Sequence, residues 1–281
     1  MLLGAHVSTA GGVSSSLRRA KAVGATAMQI FTKQCSQWKE PRIDDATGTS
    51  FQQSVREMPL GSTNAHDSYL INLASPDPAL WTRSLISLVC ELKRCRALGL
   101  DLLVSHPGNY MDDRASGIAR NADAISIAQE LVPGRTLLLL ESTAGTGTSL
   151  GASFEELAAI IARVAEPARA RVGVCVDTCH VFAAGYDLVN DYDSVWTRFG
   201  DAVGMERLRL LHLNDSKTPC GSRRDRHELI GEGSLGEGVF RRIMTDDRLV
   251  AIPKVIETPK LDDAEKTDRR MIRRLRRYAQ G

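Results

Sequence analysis

Short apolar runs bounded by turn residues recur along the chain, and segments with helical periodicity lie between them. The runs are Leu2–His6, Ala27–Phe31, Gly61–His66, Leu102–His106, Leu137–Glu141, Val172–Asp177, Leu208–His212 and Ile252–Glu257. Gly61–His66 is the weakest strand candidate, because Gly-Ser-Thr-Asn is a poor strand former. Apolar residues recur at helical spacing in Val13–Val23, Leu80–Leu98, Ile118–Leu131, Phe154–Val164 and Val195–Val203, and Gly24, Gly99 and Gly204 stand where helix C-caps belong. Leu137–Leu140 and Val172–Val176 are almost continuously apolar, as parallel strands covered on both faces are. Strand ends recur about every 36 residues, the length of one strand–helix unit. Eight such units predict a (β/α)8 TIM barrel, with residues 1–281 as a single α/β domain. An open doubly wound sheet is the structural alternative, but the chain has no GxGxxG or Walker A loop.

The polar residues that end these runs carry the functional signal. Seven of the eight close on His6, His66, His106, Glu141, Asp177, His212 or Glu257. In a barrel these positions share the C-terminal face, so residues distant in sequence converge on one cavity. His6 alone reads as a hydrogen-bonded structural histidine. His66, His106, His180, His212 and His227 together read as ligands, because charged groups buried without partners are too costly to cluster idly. Neighbouring carboxylates at Glu141, Asp177 and Glu257 would repel one another, a conflict that divalent metal resolves. Imidazole and carboxylate without thiolate suit zinc, manganese or iron, and the histidine count favours zinc.

Two local spacings add ligand pairs. Asp177-Thr-Cys-His180 places a carboxylate on a strand end and an imidazole in the turn that enters the next helix. Asp225-Arg-His227 places two donors on the same side of an extended segment, although the same residues could form a solvated basic loop. Nine donors exceed one tetrahedral site, so two or three metals are implied. Three divalent ions against four carboxylates leave a positive site suited to phosphate and to in-line displacement at phosphorus.

That local charge matters because the chain as a whole has little. Of 281 residues, 36 are Lys or Arg and 34 are Asp or Glu, a net charge of +2, so no strong overall field draws it to nucleic acid or anionic membrane. With 43% hydrophobic and 25% charged residues, disorder, collagen and coiled coil are excluded. Cys35, Cys90, Cys95, Cys175, Cys179 and Cys220 form no CxxC pair and read as reduced structural thiols. Met1–His6 has neither the basic nor the apolar region of a signal peptide, and no apolar run approaches the ~18 residues of a membrane span. The expectation is a cytoplasmic protein without a membrane partner, most simply a monomer.

The motifs together resemble endonuclease IV, the zinc-dependent apurinic/apyrimidinic endonuclease family, over nearly the whole chain. They include Gly4-Ala-His-Val-Ser8, Phe31-Thr-Lys33, His66-Asp-Ser-Tyr-Leu-Ile-Asn72, His106-Pro-Gly108, Glu141-Ser-Thr-Ala-Gly145, Gly173–His180, His212-Leu-Asn-Asp215, Asp225-Arg-His227 and Ile256-Glu-Thr258. The resemblance implies three zinc ions: one on His66, His106 and Glu141, a second on Glu141, Asp177, His212 and Glu257, and a third on His180, Asp225 and His227. It further implies that Glu141 and Glu257 are catalytic and that duplex DNA is cleaved 5′ to an abasic deoxyribose, with removal of blocking groups from 3′ ends.

The resemblance also implies that Tyr69 and Leu70 enter the base stack, although Tyr-Leu-Ile could equally be rim core. Ser36 stands where well-known members carry an inserted arginine. Lys33, Arg223, Arg224 and Arg226 are the expected phosphate contacts. The basic tail Arg269–Arg277 reads either as a solvated last barrel helix or as a DNA-contacting one.

Two rival readings remain. A metal-dependent sugar isomerase or epimerase of the same barrel class would use Glu141, Asp177, His212 and Glu257, but would leave His66, His106, His180, Asp225 and His227 without purpose. A metal-dependent nucleic-acid binding module that has lost catalysis is opposed by the complete ligand set.

Overall fold

The computed structural model describes residues 1–280. In chain order the elements begin with β1 (Leu3–His6), α1 (Val13–Val23), β2 (Ala27–Phe31), α2 (Asp45–Arg56), β3 (Ser62–His66), α3 (Pro78–Leu98), β4 (Leu102–Ser105) and α4 (Arg114–Leu131). They continue with β5 (Leu137–Glu141), α5 (Phe154–Arg163), β6 (Val172–Asp177), α6 (Thr178–Ala184), α7 (Tyr192–Ala202) and β7 (Leu208–Leu213). A short hairpin, β8 (Asp215–Ser216) and β9 (His227–Glu228), precedes α8 (Gly236–Thr245), β10 (Lys254–Ile256) and α9 (Ala264–Tyr278).

Strands β1–β7 and β10 close into a parallel barrel in the order β1-β10-β7-β6-β5-β4-β3-β2. A (β/α)8 barrel is therefore the architecture. Its interior holds a compact layer of Ala27, Leu102, Val104, Leu139, Cys175, Leu210 and Val255. The larger apolar layer lies between the strands and the surrounding helices, and includes Leu103, Leu138, Leu140, Val174 and Leu211.

The weak strand candidate is fully formed. β3 is buried at all five positions, and its polar residues are partnered there: Ser62 donates to Asn64 at 3.0 Å, and Thr63 donates to the Asp101 carboxylate through both its backbone N–H and its hydroxyl. Helix α2 shows no apolar periodicity because little of it needs to be apolar. Gly48 and Phe51 are its buried residues, and a Cβ on Gly48 would come within 2.6 Å of the Ala97 carbonyl of α3, so the close approach of the two helices requires glycine. The basic tail is the last barrel helix: α9 buries Met271, Ile272, Leu275 and Tyr278 against α1 and α8 and leaves Arg270, Arg273 and Arg277 in solvent. All six cysteines are free thiols. Among the described residues, no helix is long and apolar enough to cross a membrane.

Candidate metal centre

Strand alternation builds the site. Side chains two residues apart point to the same side of a strand, so the residues that follow the interior layer also face inward, one step nearer the mouth. Gln29 follows Ala27 in this way, Glu141 follows Leu139, Asp177 follows Cys175, His212 follows Leu210 and Glu257 follows Val255. His106 lies one residue beyond β4, two past Val104, and His66 ends β3 beside it.

The nine expected donors gather into three groups, with ligand atoms within 4.8 Å of one another in each: His66, His106 and Glu141; Glu141, Asp177, His212 and Glu257; and His180, Asp225 and His227. Glu141 joins the first two. Its Oε2 stands 3.0 Å from both His66 Nε2 and His106 Nε2, and its Oε1 stands 2.8 Å from His212 Nδ1. Glu257 Oε2 reaches His212 Nδ1 at 3.2 Å. The third group is assembled by two short elements. Asp177 caps α6 by accepting from the N–H groups of Cys179 and His180, which turns the His180 ring toward the mouth. The β8–β9 hairpin brings in Asp225 and His227, with Asp225 at 3.2 Å from His180 Nε2 and 3.1 Å from His227 Nε2. His180 therefore sits in the first turn of a helix, and Asp225-Arg-His227 is held by a strand pair.

The outer ring nitrogens have partners of their own. His66 Nδ1 donates to the Asp67 carbonyl at 2.8 Å and His180 Nδ1 to the Ser142 carbonyl at 2.9 Å, orienting Nε2 into the cavity in each case. Asn214 donates to Asp177 Oδ2 at 2.7 Å and accepts from the Glu257 N–H at 2.9 Å. His6, read from sequence as structural, belongs to the site: its Nδ1 is 2.9 Å from Glu257 Oε1. His6, Gln29 and Asn214 were not among the expected site residues. The alternation that places Gln29 beside Ala27 was the available signal.

Without metal, the charges are balanced by protons. Burial favours the neutral imidazole, but the Glu141 carboxylate outweighs it at His66, raised to about 9. Asp177, Asp225 and Glu141 raise His180 to about 10 against the same opposition, and Asp177 and Asp225 raise His227 to about 9. Burial would push the Glu141 carboxyl up, yet the neighbouring His212 and His106 hold it well below the usual range. Cys175 also comes within ligand distance of Glu141 and His212, and Cys179 of Asp177 and His227, although burial pushes both thiols up to about 12. The nine donors of the three groups are imidazole and carboxylate, a set that fits zinc.

Above the ligands opens a cavity of about 540 Å³ whose lining includes His6, Phe31, Tyr69, His227, Glu257 and Lys260. Tyr69 is 64% exposed, with its ring centroid 5.7 Å from that of His66, so it stands on the rim over the cluster and not in the core. Leu70 is half-buried beside it, and Arg223, Arg224 and Arg226 are exposed on the loop between β8 and β9. Lys33 departs from its expected role. Its ammonium is buried, 2.6 Å from Glu40 and 3.0 Å from Ser87, so it braces the loop after β2 and does not offer a charge to phosphate. Arg94 pairs with the same Glu40 at 2.7 Å, and these hydrogen bonds hold the Glu40 carboxyl low although burial opposes them. Exposed cations at that loop are Lys39 within it and Arg83 beside it, which lies over the Trp38 ring at 4.6 Å.

The class defined by this fold and site is that of the xylose isomerase-like TIM barrels, whose family pattern matches residues 17–278. Within that class the nearer likeness is to proteins named "Probable endonuclease 4". The relative from Geobacter sulfurreducens is 44% identical over 282 residues, covering 97% of this chain and 95% of its own, and that from Halorhodospira halophila is 43% identical over 265 residues, covering 92% and 88%. The crystal structure of endonuclease IV from Thermus thermophilus superposes with a TM-score of 0.89 at 34% identity, covering 100% of this chain and 99% of that one. The chain belongs to the endonuclease IV family. A D-tagatose 3-epimerase-like protein, with a TM-score of 0.72 at 14% identity, shares the fold.

Proposed function

We propose that the protein is a zinc-dependent DNA repair endonuclease. It hydrolyses the phosphodiester 5′ to abasic sites in duplex DNA, leaving a 3′-hydroxyl and a 5′-deoxyribose phosphate, and it removes blocking groups from 3′ ends. The observation that carries this reading is the set of three ligand groups, two of them joined through Glu141, with five imidazoles and four carboxylates on one barrel mouth. An isomerase of the same class has work for the Glu141, Asp177, His212 and Glu257 group but none for the other two.

His66, His106 and Glu141 would hold one zinc, Glu141, Asp177, His212 and Glu257 a second, and His180, Asp225 and His227 a third. Bound there, the metals would supply positive charge to the phosphate oxygens and activate the attacking water. The chain's own residues set the geometry. Glu141, with one oxygen toward each of two groups, fixes their separation, and Glu257 faces the cavity from the end of β10 with His6 beside it. Tyr69 and Leu70 stand where they can fill the space beside a nucleotide turned out of the stack, a cheap rearrangement when no base must be unpaired. Arg223, Arg224 and Arg226, exposed on the loop between β8 and β9, would meet phosphates. Elemental analysis of the purified protein tests the reading: close to three zinc per chain is expected, and one metal per chain with ketose–aldose turnover overturns it.

A further inference from the structure

Gln29 is fully buried in the middle of β2, between Met28 and Ile30, and its amide is spent on two of the proposed zinc ligands. Its Oε1 lies 2.8 Å from His212 Nε2, and its Nε2 donates to Glu257 Oε1 at 2.7 Å. We infer that Gln29 is a positioning residue for the four-residue group of Glu141, Asp177, His212 and Glu257, fixing which nitrogen His212 presents and where Glu257 points. The inference rests on the metal reading above and extends it to a residue outside the ligand set.

The chemistry follows from the amide. An acceptor at 2.8 Å keeps a proton on His212 Nε2, so the nitrogen left for a metal to take is Nδ1, which stands 2.8 Å from Glu141 Oε1 and 3.2 Å from Glu257 Oε2. The same side chain must also donate, because Glu257 Oε1 lies on its other side. A carboxamide does both without adding charge. A carboxylate there would face Glu257 as a like charge, and an apolar side chain would leave the buried His212 N–H unpaired.

His212 also differs from its fellow histidines. His66 and His180 are oriented by backbone carbonyls, which no substitution removes, whereas His212 is oriented by a side chain on another strand. Outer partners of this kind typically change metal affinity 10–100-fold. One position of the three should therefore depend on Gln29, and the other two should not.

The test uses the full chain with Gln29→Leu and Gln29→Met, two apolar replacements of similar size that differ in branching, each checked for folding by circular dichroism and thermal melting. Zinc is titrated against a chromophoric chelator. Retention of two zinc ions at wild-type affinity with roughly 10–100-fold weakening of the third is expected, together with a change in the ¹⁵N signature of the His212 ring in the zinc-loaded protein. Three zinc ions at unchanged affinity in both folded variants, or equal weakening of all three, overturns the inference. Failure of the wild-type protein itself to take up three zinc ions would instead overturn the metal reading.

Discussion

At the scale of single residues, the site is a problem in paired charges. Glu257 touches His6, Gln29 and His212 at once, and the charge of His212 and the hydrogen bond from His6 hold its carboxyl far below its ordinary range although burial opposes them. Glu257→Gln keeps the shape and removes the charge, so nicking of abasic DNA should fall by more than about 100-fold, beyond the loss typical of an outer partner, while circular dichroism stays native. Turnover within a few-fold of wild type would remove Glu257 from the catalytic role. Ser36 poses the opposite question, since it is exposed on the loop that Lys33 braces from within. Ser36→Arg should tighten binding to duplex DNA and steepen its salt dependence by about 0.9 in log–log slope if the new guanidinium neutralises one phosphate. An unchanged slope would show that Arg83 or the Arg223–Arg226 loop already serves that part of the duplex.

At the scale of elements, the sequence was legible where a strand or helix buries one regular stripe and obscure where contacts are polar or close. Seven strands could be read from apolar runs, and six of those close on His, Asp or Glu. β3 was harder because its buried Ser62, Thr63 and Asn64 look like a turn until their partners are known. α2 hid behind Gly48, and α8 behind the glycines that precede it. The burial of Lys33 depends on Glu40, seven residues on in the same loop, and on Ser87 of α3, and nothing in Phe31-Thr-Lys33 announces them. α9 resolves the reading of the basic tail by separating two faces. Met271→Ala should destabilise the fold by about 2–5 kcal/mol in denaturant unfolding, whereas Arg273→Gln should stay within about 0.5 kcal/mol. Similar effects of the two would contradict the burial pattern of this helix.

At the scale of the whole molecule, a chain of net charge +2 concentrates its chemistry at one mouth. In the metal-free protein the histidines carry protons there, which links stability to pH. His66, His180 and His227 titrate near 6.5 when unfolded and at about 9, 10 and 9 when folded. A raised folded pKa contributes stability that is fully present below the unfolded value and is lost as pH rises through the folded one. The melting temperature of chelator-stripped protein should therefore fall steadily between pH 7 and 10, and added zinc, which would take the place of those protons in the proposed sites, should flatten the fall. A metal-free melting temperature that is level over this range would contradict the charge balance described for the cluster.

The proposed chemistry of this mouth is hydrolysis of a phosphodiester beside a missing base. The direct measurement is the cleavage of a labelled duplex with one synthetic abasic site by the zinc-loaded protein, with the position of the nick and the chemistry of its ends determined. A single nick on the 5′ side of the lesion is expected, with a 3′-hydroxyl that a polymerase can extend and no product after chelation. An intact duplex, or a nick on the 3′ side that leaves a blocked 3′ end, would contradict it.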